Sequence, residues 1–325
     1  MPDRRSFLKG SLFSGFLAAS SVAQGNRADP SQSQWVSIID LDRCTGCQDR
    51  QTPACVSACR NKNHHRFPNP KKPLQPYWPQ KGFEDFSEER NRIDRLTPYN
   101  WTFVEKISLD DGRVVFAPRR CMHCFDAPCR KICPFGAIDR SEQGAVMINP
   151  EVCFGGAKCR DVCPWQIPQR QAGVGLYLDI LPKFAGGGVM YKCDFCSDQL
   201  QKGMAPACAA ACPNEAIVFL PLHKAMAKLK MLAENRYVYG INENGGTATW
   251  YVSSVPFEVL QKALLKTKQV GGVDGRPDFK PVAPLLENTS VWASVTLTAP
   301  IAAIAFAYMV ARRKRKASDF KGGRQ

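Results

Sequence analysis

Four blocks of cysteine constrain this chain more than any other feature. Block one is Cys44, Cys47, Cys55 and Cys59; block two is Cys121, Cys124, Cys129 and Cys133; block four is Cys193, Cys196, Cys208 and Cys212. Block three reads Cys153, Gly156, Cys159 and Cys163, so the chain has 15 cysteines and a glycine in the slot of one more. Each block opens with two positions three residues apart and closes with a Cys-x-x-x-Cys pair. Thiolates at these intervals wrap cubane iron–sulfur clusters, three from one block and the fourth from a distant one. With 24 Pro and 24 Gly in 325 residues, the chain is loop-rich and has few long apolar runs. Metal–thiolate bonds would supply the cohesion that a small apolar core lacks.

Blocks two and three flank residues 134–140, a turn at 141–144 and a short apolar run at 145–148, the loop–hairpin–loop order of a bacterial ferredoxin. Pro134, Pro164 and Pro213 each follow the last cysteine of a block, as in ferredoxin motifs, whereas Arg60 stands there in block one. The expected fold class is therefore α+β: two ferredoxin-like dicluster units with loop-rich insertions, plus a single C-terminal transmembrane helix. Adjacent blocks two and three form the inner unit (118–189). Outer blocks one and four form the other (36–117 with 190–260), including an insertion at 61–97.

Because the fourth cysteine of each motif crosses to the partner cluster, four ligand sets are expected. They are Cys44, Cys47, Cys55 with Cys212; Cys193, Cys196, Cys208 with Cys59; Cys121, Cys124, Cys129 with Cys163; and Cys153, Cys159 with Cys133. Gly156 has no side chain to bind iron. The last set is thus expected to hold a 3Fe–4S cluster, with a labile 4Fe–4S cluster as the alternative, beside three 4Fe–4S clusters. Zinc ribbons lack the Cys-x-x-x-Cys-Pro ending, and an odd cysteine count in repeated spacing argues against disulfides. Covalent haem needs Cys-x-x-Cys-His, but Gln48, Phe125 and Ser197 follow the three opening pairs. No Gly-x-Gly-x-x-Gly turn follows a strand, so no nucleotide site is expected. Of the four histidines, His123 lies inside a cluster loop and is expected to donate to sulfur, while His64 and His65 read as solvated loop.

The net charge of +15 is concentrated at the ends: residues 1–23 carry +2 (Arg4, Arg5 and Lys9 against Asp3). Residues 312–325 carry +6, from seven Lys and Arg against Asp319. Anionic thiolate-ligated clusters would offset the excess on the body, so nucleic-acid binding is not expected. Residues 3–9 read Asp-Arg-Arg-Ser-Phe-Leu-Lys, a twin-arginine signal with a cleavage site near Ala23. Residues 291–310 carry no charge over 20 positions, long enough to cross a bilayer. The basic run Arg312 to Lys316 follows and is expected to stay cytoplasmic. Residues 1–23 therefore read as a signal peptide, 268–288 as a tether, 291–310 as an anchor in membrane lipid and 311–325 as a cytoplasmic tail. The body is expected in the periplasm.

Within the body, 35–40 reads as a strand, and 101–107 with 113–117 as a hairpin around Asp110-Asp111-Gly112. Residues 61–97 contain five prolines and a charged run and read as a long surface insertion with one short helix. Residues 222–235 have helical spacing, with Leu222, Ala225, Met226, Leu229 and Leu232 on one face. Residues 237–252 read as strands around Asn244-Gly245-Gly246.

The Cys121-Met122-His123-Cys124 and Lys192-Cys193-Asp194-Phe195-Cys196 stretches, with Tyr239-Gly240, Gly245-Gly246-Thr247 and Val255-Pro256-Phe257, resemble a known family. It is the four-cluster iron–sulfur subunit of membrane-bound respiratory oxidoreductases, found with dimethyl-sulfoxide-reductase-type enzymes. The signal and anchor look most like the hydrogenase-2 type and less like formate dehydrogenase. The resemblance implies a non-catalytic electron-transfer subunit. Its partners would be a periplasmic catalytic subunit (hydrogenase, formate dehydrogenase or molybdopterin oxidoreductase) and a membrane quinone- or haem-binding subunit. It also implies that the block-three cluster lies toward the membrane partner. An alternative is a component of a multihaem-cytochrome-linked transmembrane redox complex.

Overall fold

The computed structural model describes residues 33–74, 83–180, 187–267 and 275–284. The expected signal peptide, membrane helix and basic tail lie outside the described residues, as does part of the expected tether. Among the described residues, no helix is long and apolar enough to cross a membrane. By internal contacts the chain divides into a unit spanning Ala28–Ala283 and another combining Met1–Arg27 with Pro284–Gln325; the first holds the elements described below.

In chain order the strands are β1 (Trp35–Asp40), β2 (Phe103–Ser108), β3 (Val114–Arg119), β4 (Ile138–Arg140), β5 (Val146–Ile148), β6 (Gln169–Gln171), β7 (Val189–Tyr191), β8 (Ile217–Pro221), β9 (Tyr237–Tyr239) and β10 (Thr249–Ser253). The helices are α1 (Ala54–Asn63), α2 (Pro128–Lys131), α3 (Lys158–Asp161), α4 (Tyr177–Ile180), α5 (Ser197–Gln201), α6 (Ala207–Ala210), α7 (Leu222–Leu232) and α8 (Phe257–Lys266). This mixture of short helices and strands is the expected α+β class.

The main sheet has the order β8-β1-β10-β9. β1 runs parallel to β10 and antiparallel to β8, and β10 runs antiparallel to β9. Buried from Val36 to Asp40, β1 has the two-sided apolar character of a central strand. One face of the sheet, with Val36, Ile38, Trp250 and Val252, packs on Ala225 and Leu229 of α7. The other, with Ile39, Tyr239 and Tyr251, joins a larger core that includes Phe103, Trp165 and Phe279.

Strand pairing explains how distant blocks meet. β1 runs into block one and β8 leaves block four, and the Ile39↔Ile217 pair sets those two loops side by side. β2 and β3 form a hairpin that leads into block two. β4 leaves block two and β5 enters block three, paired Ile138↔Ile148. β6 leaves block three and β7 enters block four, paired Gln169↔Tyr191. Each of these three inter-block pairings thus joins the exit of one cysteine block to the entrance of another.

The strand at 35–40, both hairpins and the helix at 222 form where the sequence places them. The helix face needs one correction: Met226 is half exposed, while Ala225 and Leu229 are buried. Eleven residues make about three turns, and the stripe that reaches the sheet is too narrow for Met226.

The insertion also differs from a free surface loop. Block one has no proline after Cys59, so α1 continues to Asn63 and a 3-10 turn follows at His64–Arg66. A second 3-10 turn covers Ser87–Glu89. Glu84 bonds Arg160 through both its oxygens (2.7 and 2.8 Å) and Arg170 at 2.7 Å, which anchors the returning segment of the insertion to block three. In the stretch read as a tether, Phe279 is buried among Tyr239, Tyr251 and Phe257, with Arg119 over its ring at 3.7 Å.

Candidate metal centres

The four blocks share one local construction. In each, the third cysteine is the second residue of a short helix: Cys55 in α1, Cys129 in α2, Cys159 in α3 and Cys208 in α6. Proline starts three of these helices, as the residue before α1 and α6 and the first residue of α2, where a missing N–H costs nothing. The fourth cysteine follows four residues later. In blocks two, three and four the helix has ended by then, because the residue before a proline is driven out of helical geometry.

Between the first and third cysteines the backbone turns through left-handed conformations. Positive φ occurs at Cys47 (49°), His123 (49°), Ala157 (56°) and Cys196 (50°). Such turns aim successive N–H groups at an anion. Phe195 N–H donates to Cys193 Sγ at 3.4 Å, Met190 N–H to Cys153 Sγ at 3.5 Å and Ala216 N–H to Cys212 Sγ at 3.2 Å.

The structure gathers the fifteen cysteines into four groups. Group A lines a cavity with Cys44, Cys47, Cys55 and Cys212. Group B lines another with Cys59, Cys193, Cys196 and Cys208. Group C lines a third with Cys121, Cys124, Cys129 and Cys163, walled otherwise by Met122, Val146, Trp165 and Ile167. In group D, Cys133, Cys153 and Cys159 lie within electrostatic reach of one another. Gly156 is exposed, and a Cβ built on it would meet nothing within 4 Å.

The groups are neighbours in the order A, B, C, D. Cys55 of A feels Cys208 of B; Cys193 of B feels Cys121 of C; Cys159 of D feels Cys129 and Cys163 of C. A and D are the ends of this order; all four cysteines of B are buried, whereas A, C and D each include partly exposed ones, Cys44, Cys47 and Cys212 in A, Cys124, Cys129 and Cys163 in C, and Cys133 in D. Burial, then repulsion from neighbouring thiolates, raises most of these thiols. Cys44 rises to about 11, and Cys196, with Cys208 as its nearest repelling thiolate, to about 12. Burial and Cys129 together raise Cys163 to about 12. Thiols this reluctant to ionise need strong cations, and binding iron there releases protons.

Two observations test the fit to iron–sulfur clusters. Among the described residues, no three His, Cys, Asp or Glu side chains converge as ligands of a single ion would. The cysteines instead rim spaces large enough to separate them. Second, Arg120 and Lys192 are buried, and their hydrogen bonds among the described residues go to a thiol, a hydroxyl and carbonyls rather than to carboxylates. Arg120 Nη1 donates to Cys208 Sγ at 2.9 Å, and Lys192 lines the group C cavity within electrostatic reach of Cys121. Buried charges persist only when paired, so these cations require anions in the cavities. The donor set suits thiolate-ligated clusters.

His123 sits at the wall of group C, with its ring 4.3 Å from Phe195. Its Nδ1 accepts the Val146 N–H at 3.0 Å, which leaves the proton on Nε2, an atom with no partner among the described residues. Burial, then Lys192 and Arg120, holds its pKa well below the usual imidazole range, so it is neutral. Asn63 Nδ2 donates to Cys59 O at 2.9 Å and lies 3.6 Å from Cys59 Sγ. That contact exists because α1 runs on past Cys59.

Arg120 and Asn63 were not singled out from the sequence, and Lys192 entered only as the first residue of a family motif, without a role. A signal was present: Arg43, Arg120 and Lys192 each precede the opening cysteine of a block, while block three has Val152 there.

The comparisons with known proteins show the kind of domain that carries these cysteines. Models of the 4Fe-4S dicluster domain match residues 43–137 and 113–221. The sequence is 25% identical over 365 residues to the Hydrogenase-2 operon protein HybA of Escherichia coli O157:H7, covering 99% of this protein and 98% of that one. It is 31% identical over 209 residues to the uncharacterized ferredoxin-like protein YdhX of Escherichia coli K12, covering 63% and 72%. It is 30% identical over 203 residues to the B subunit of the anaerobic dimethyl sulfoxide reductase of Haemophilus influenzae, covering 60% and 78%. With two dicluster domains and these relatives, the protein belongs to the family of ferredoxin-type iron–sulfur electron-transfer subunits of oxidoreductases.

Proposed function

We propose that this protein is a non-catalytic conduit that passes single electrons between a periplasmic catalytic subunit and a quinone-reactive membrane subunit. The observation that carries the reading is the order of the four cysteine groups, A to D, each within electrostatic reach of the next. Bound clusters supply one-electron oxidation and reduction. The chain's own residues hold them in order, bury the cysteines of B, and leave A and D at the two ends of the order as entry and exit.

In this proposal, A, B and C each hold a 4Fe–4S cluster on four thiolates, and D holds a 3Fe–4S cluster on Cys133, Cys153 and Cys159. His123 donates its free Nε2–H to sulfur in C. Export by the twin-arginine signal at residues 1–23 and anchoring by residues 291–310 put the body on the periplasmic side. The resemblance to respiratory subunits supports D as the membrane-facing end, and so does the exposed aromatic pair beside it. There Phe135 and Phe154 stack at 4.4 Å, with Phe135 half exposed.

The test is anaerobic purification of the full-length protein with its co-purifying subunits, followed by metal analysis and EPR. About fifteen irons per chain and an oxidised 3Fe–4S signal are expected. A colourless protein holding zinc and no iron would end the reading. Gly156→Cys sharpens the test, since the new side chain has room and the backbone there is not left-handed. It should replace the 3Fe–4S signal with a reduced 4Fe–4S signal. Persistence of the original signal in a fully loaded variant overturns the assignment of D.

A further inference from the structure

The junction between groups B and C is built from two cations that exchange places. Arg120 directly precedes Cys121 of group C, yet its guanidinium turns away from C. Nη1 donates to Cys208 Sγ of group B at 2.9 Å, Nη2 donates to Ser37 Oγ on β1, and the group lies 4.8 Å from the centre of the Phe219 ring on β8. Lys192 directly precedes Cys193 of group B, yet its ammonium reaches group C. It lines the group C cavity beside Cys121 and Cys129, lies within electrostatic reach of both and of Cys193, and is fixed by the carbonyls of Val146 on β5 and of Cys193, the latter at 3.2 Å.

Each half of the body thus lends a buried cation to the other half's cysteines. The positions that correspond to these two in the other blocks hold no such cation. Arg43 before block one is half exposed and pairs with Glu215 at 3.4 Å, and block three has Val152 there.

We propose that Arg120 and Lys192 are positioning residues that raise the reduction potentials of the two central centres, Arg120 acting on B and Lys192 on C. This keeps the electron step between the two dicluster halves near balance. A fixed positive charge in a low-dielectric interior favours the more negative, reduced state of what it touches. Raising only one of the two centres would make the hop uphill in one direction, whereas the crossed arrangement raises both. In the step itself one electron leaves one centre and arrives at the other. No bond forms or breaks and no proton moves, because both cations keep their charge. The inference rests on the reading that B and C hold iron–sulfur clusters.

The experiment is an EPR-monitored redox titration of the full-length protein with its native subunits, for wild type, Arg120→Gln and Lys192→Gln. Arg120→Gln should make reduction of one centre at least tenfold less favourable, about 59 mV for a one-electron couple. Lys192→Gln should do the same to a second, different centre. The two remaining centres should keep their potentials in both variants. Arg120→Lys and Lys192→Arg preserve charge and should restore most of each shift. Four loaded centres with unshifted potentials, or an equal shift of all four, overturn the proposal while leaving the cluster reading intact. If a Gln variant loses iron, the charge-preserving variant decides: iron and potential both restored support the proposal, and iron lost there too overturns it. Wild-type protein without iron would instead fail the underlying reading.

Discussion

Glu105, on β2, shows how one buried side chain sets a dependence on pH. It is almost wholly buried, and its nearest cation, Arg276, is 3.8 Å away. Burial raises its pKa from 4.5 to about 7, against the pull of Arg276 and Arg119 and with Asp94 adding to the rise. Within that window the folded state therefore holds more protons than the unfolded state, and stability falls as pH rises through it. The loss is complete above pH 7 and amounts to about 3 kcal/mol. Glu105→Gln carries no such charge, so it should match wild type at acid pH and melt at a higher temperature at about pH 8. Identical pH dependence of Tm in the two proteins would refute this. The same scale explains why Met226 misled: its spacing fits the apolar stripe of a helix, but only contact with the sheet decides where that stripe ends.

At the scale of elements, the block-three loop contrasts two adjacent glycines. Gly155 has φ +66°, and a Cβ there would lie 2.3 Å from the carbonyl oxygen of Gly188. Gly156 would meet nothing. Gly155→Ala must therefore displace either its own loop or the segment leading into β7. It should lower bound iron by about three per chain, with the 3Fe–4S signal lost and the other centres kept. Gly156→Ala should retain all four. Equal iron in both variants would show that the close approach to Gly188 is not needed for loading. The contrast between Arg60 and the prolines of the other blocks belongs here as well. Without proline, α1 extends to Asn63, and Arg60 itself donates to Tyr99 O at 2.7 Å and Arg90 O at 2.8 Å. The missing proline, visible in the sequence, thus gives way to an anchor for the segment returning from the insertion.

At the scale of the whole molecule, the order A to D comes from strand pairing and is locked by long-range ion pairs. Glu84 ties the returning insertion to Arg160, beside Cys159, and to Arg170, which also donates to Gly155 O at 2.9 Å. Glu84→Ala removes the carboxylate that these two buried guanidinium groups share. Breaking a buried pair from one side costs about 3 kcal/mol or more. The expected outcome is a lower Tm together with faster loss of the group D signal under chelator, while the signals of A and B persist. Uniform loss of all signals, or none, would separate the insertion from the block-three loop.

Cysteine spacing by itself determined the chemistry of this protein, because iron–sulfur ligation needs thiolates at set intervals and those intervals are local. It also determined that block three is deficient, and periodicity marked β1, two hairpins and α7. What only the tertiary structure decided is what lies between the groups. Arg120 reads in sequence as an ordinary basic residue, Lys192 as one member of a motif with no role attached, and Glu84 as part of a charged surface run. Their crossings and bridges depend on contacts 46 to 88 residues apart, which no local pattern encodes. Ligand spacing is a property of the backbone over a short stretch. The electrostatic environment of a buried site is a sum over everything that packs around it, so it exists only once the chain has folded.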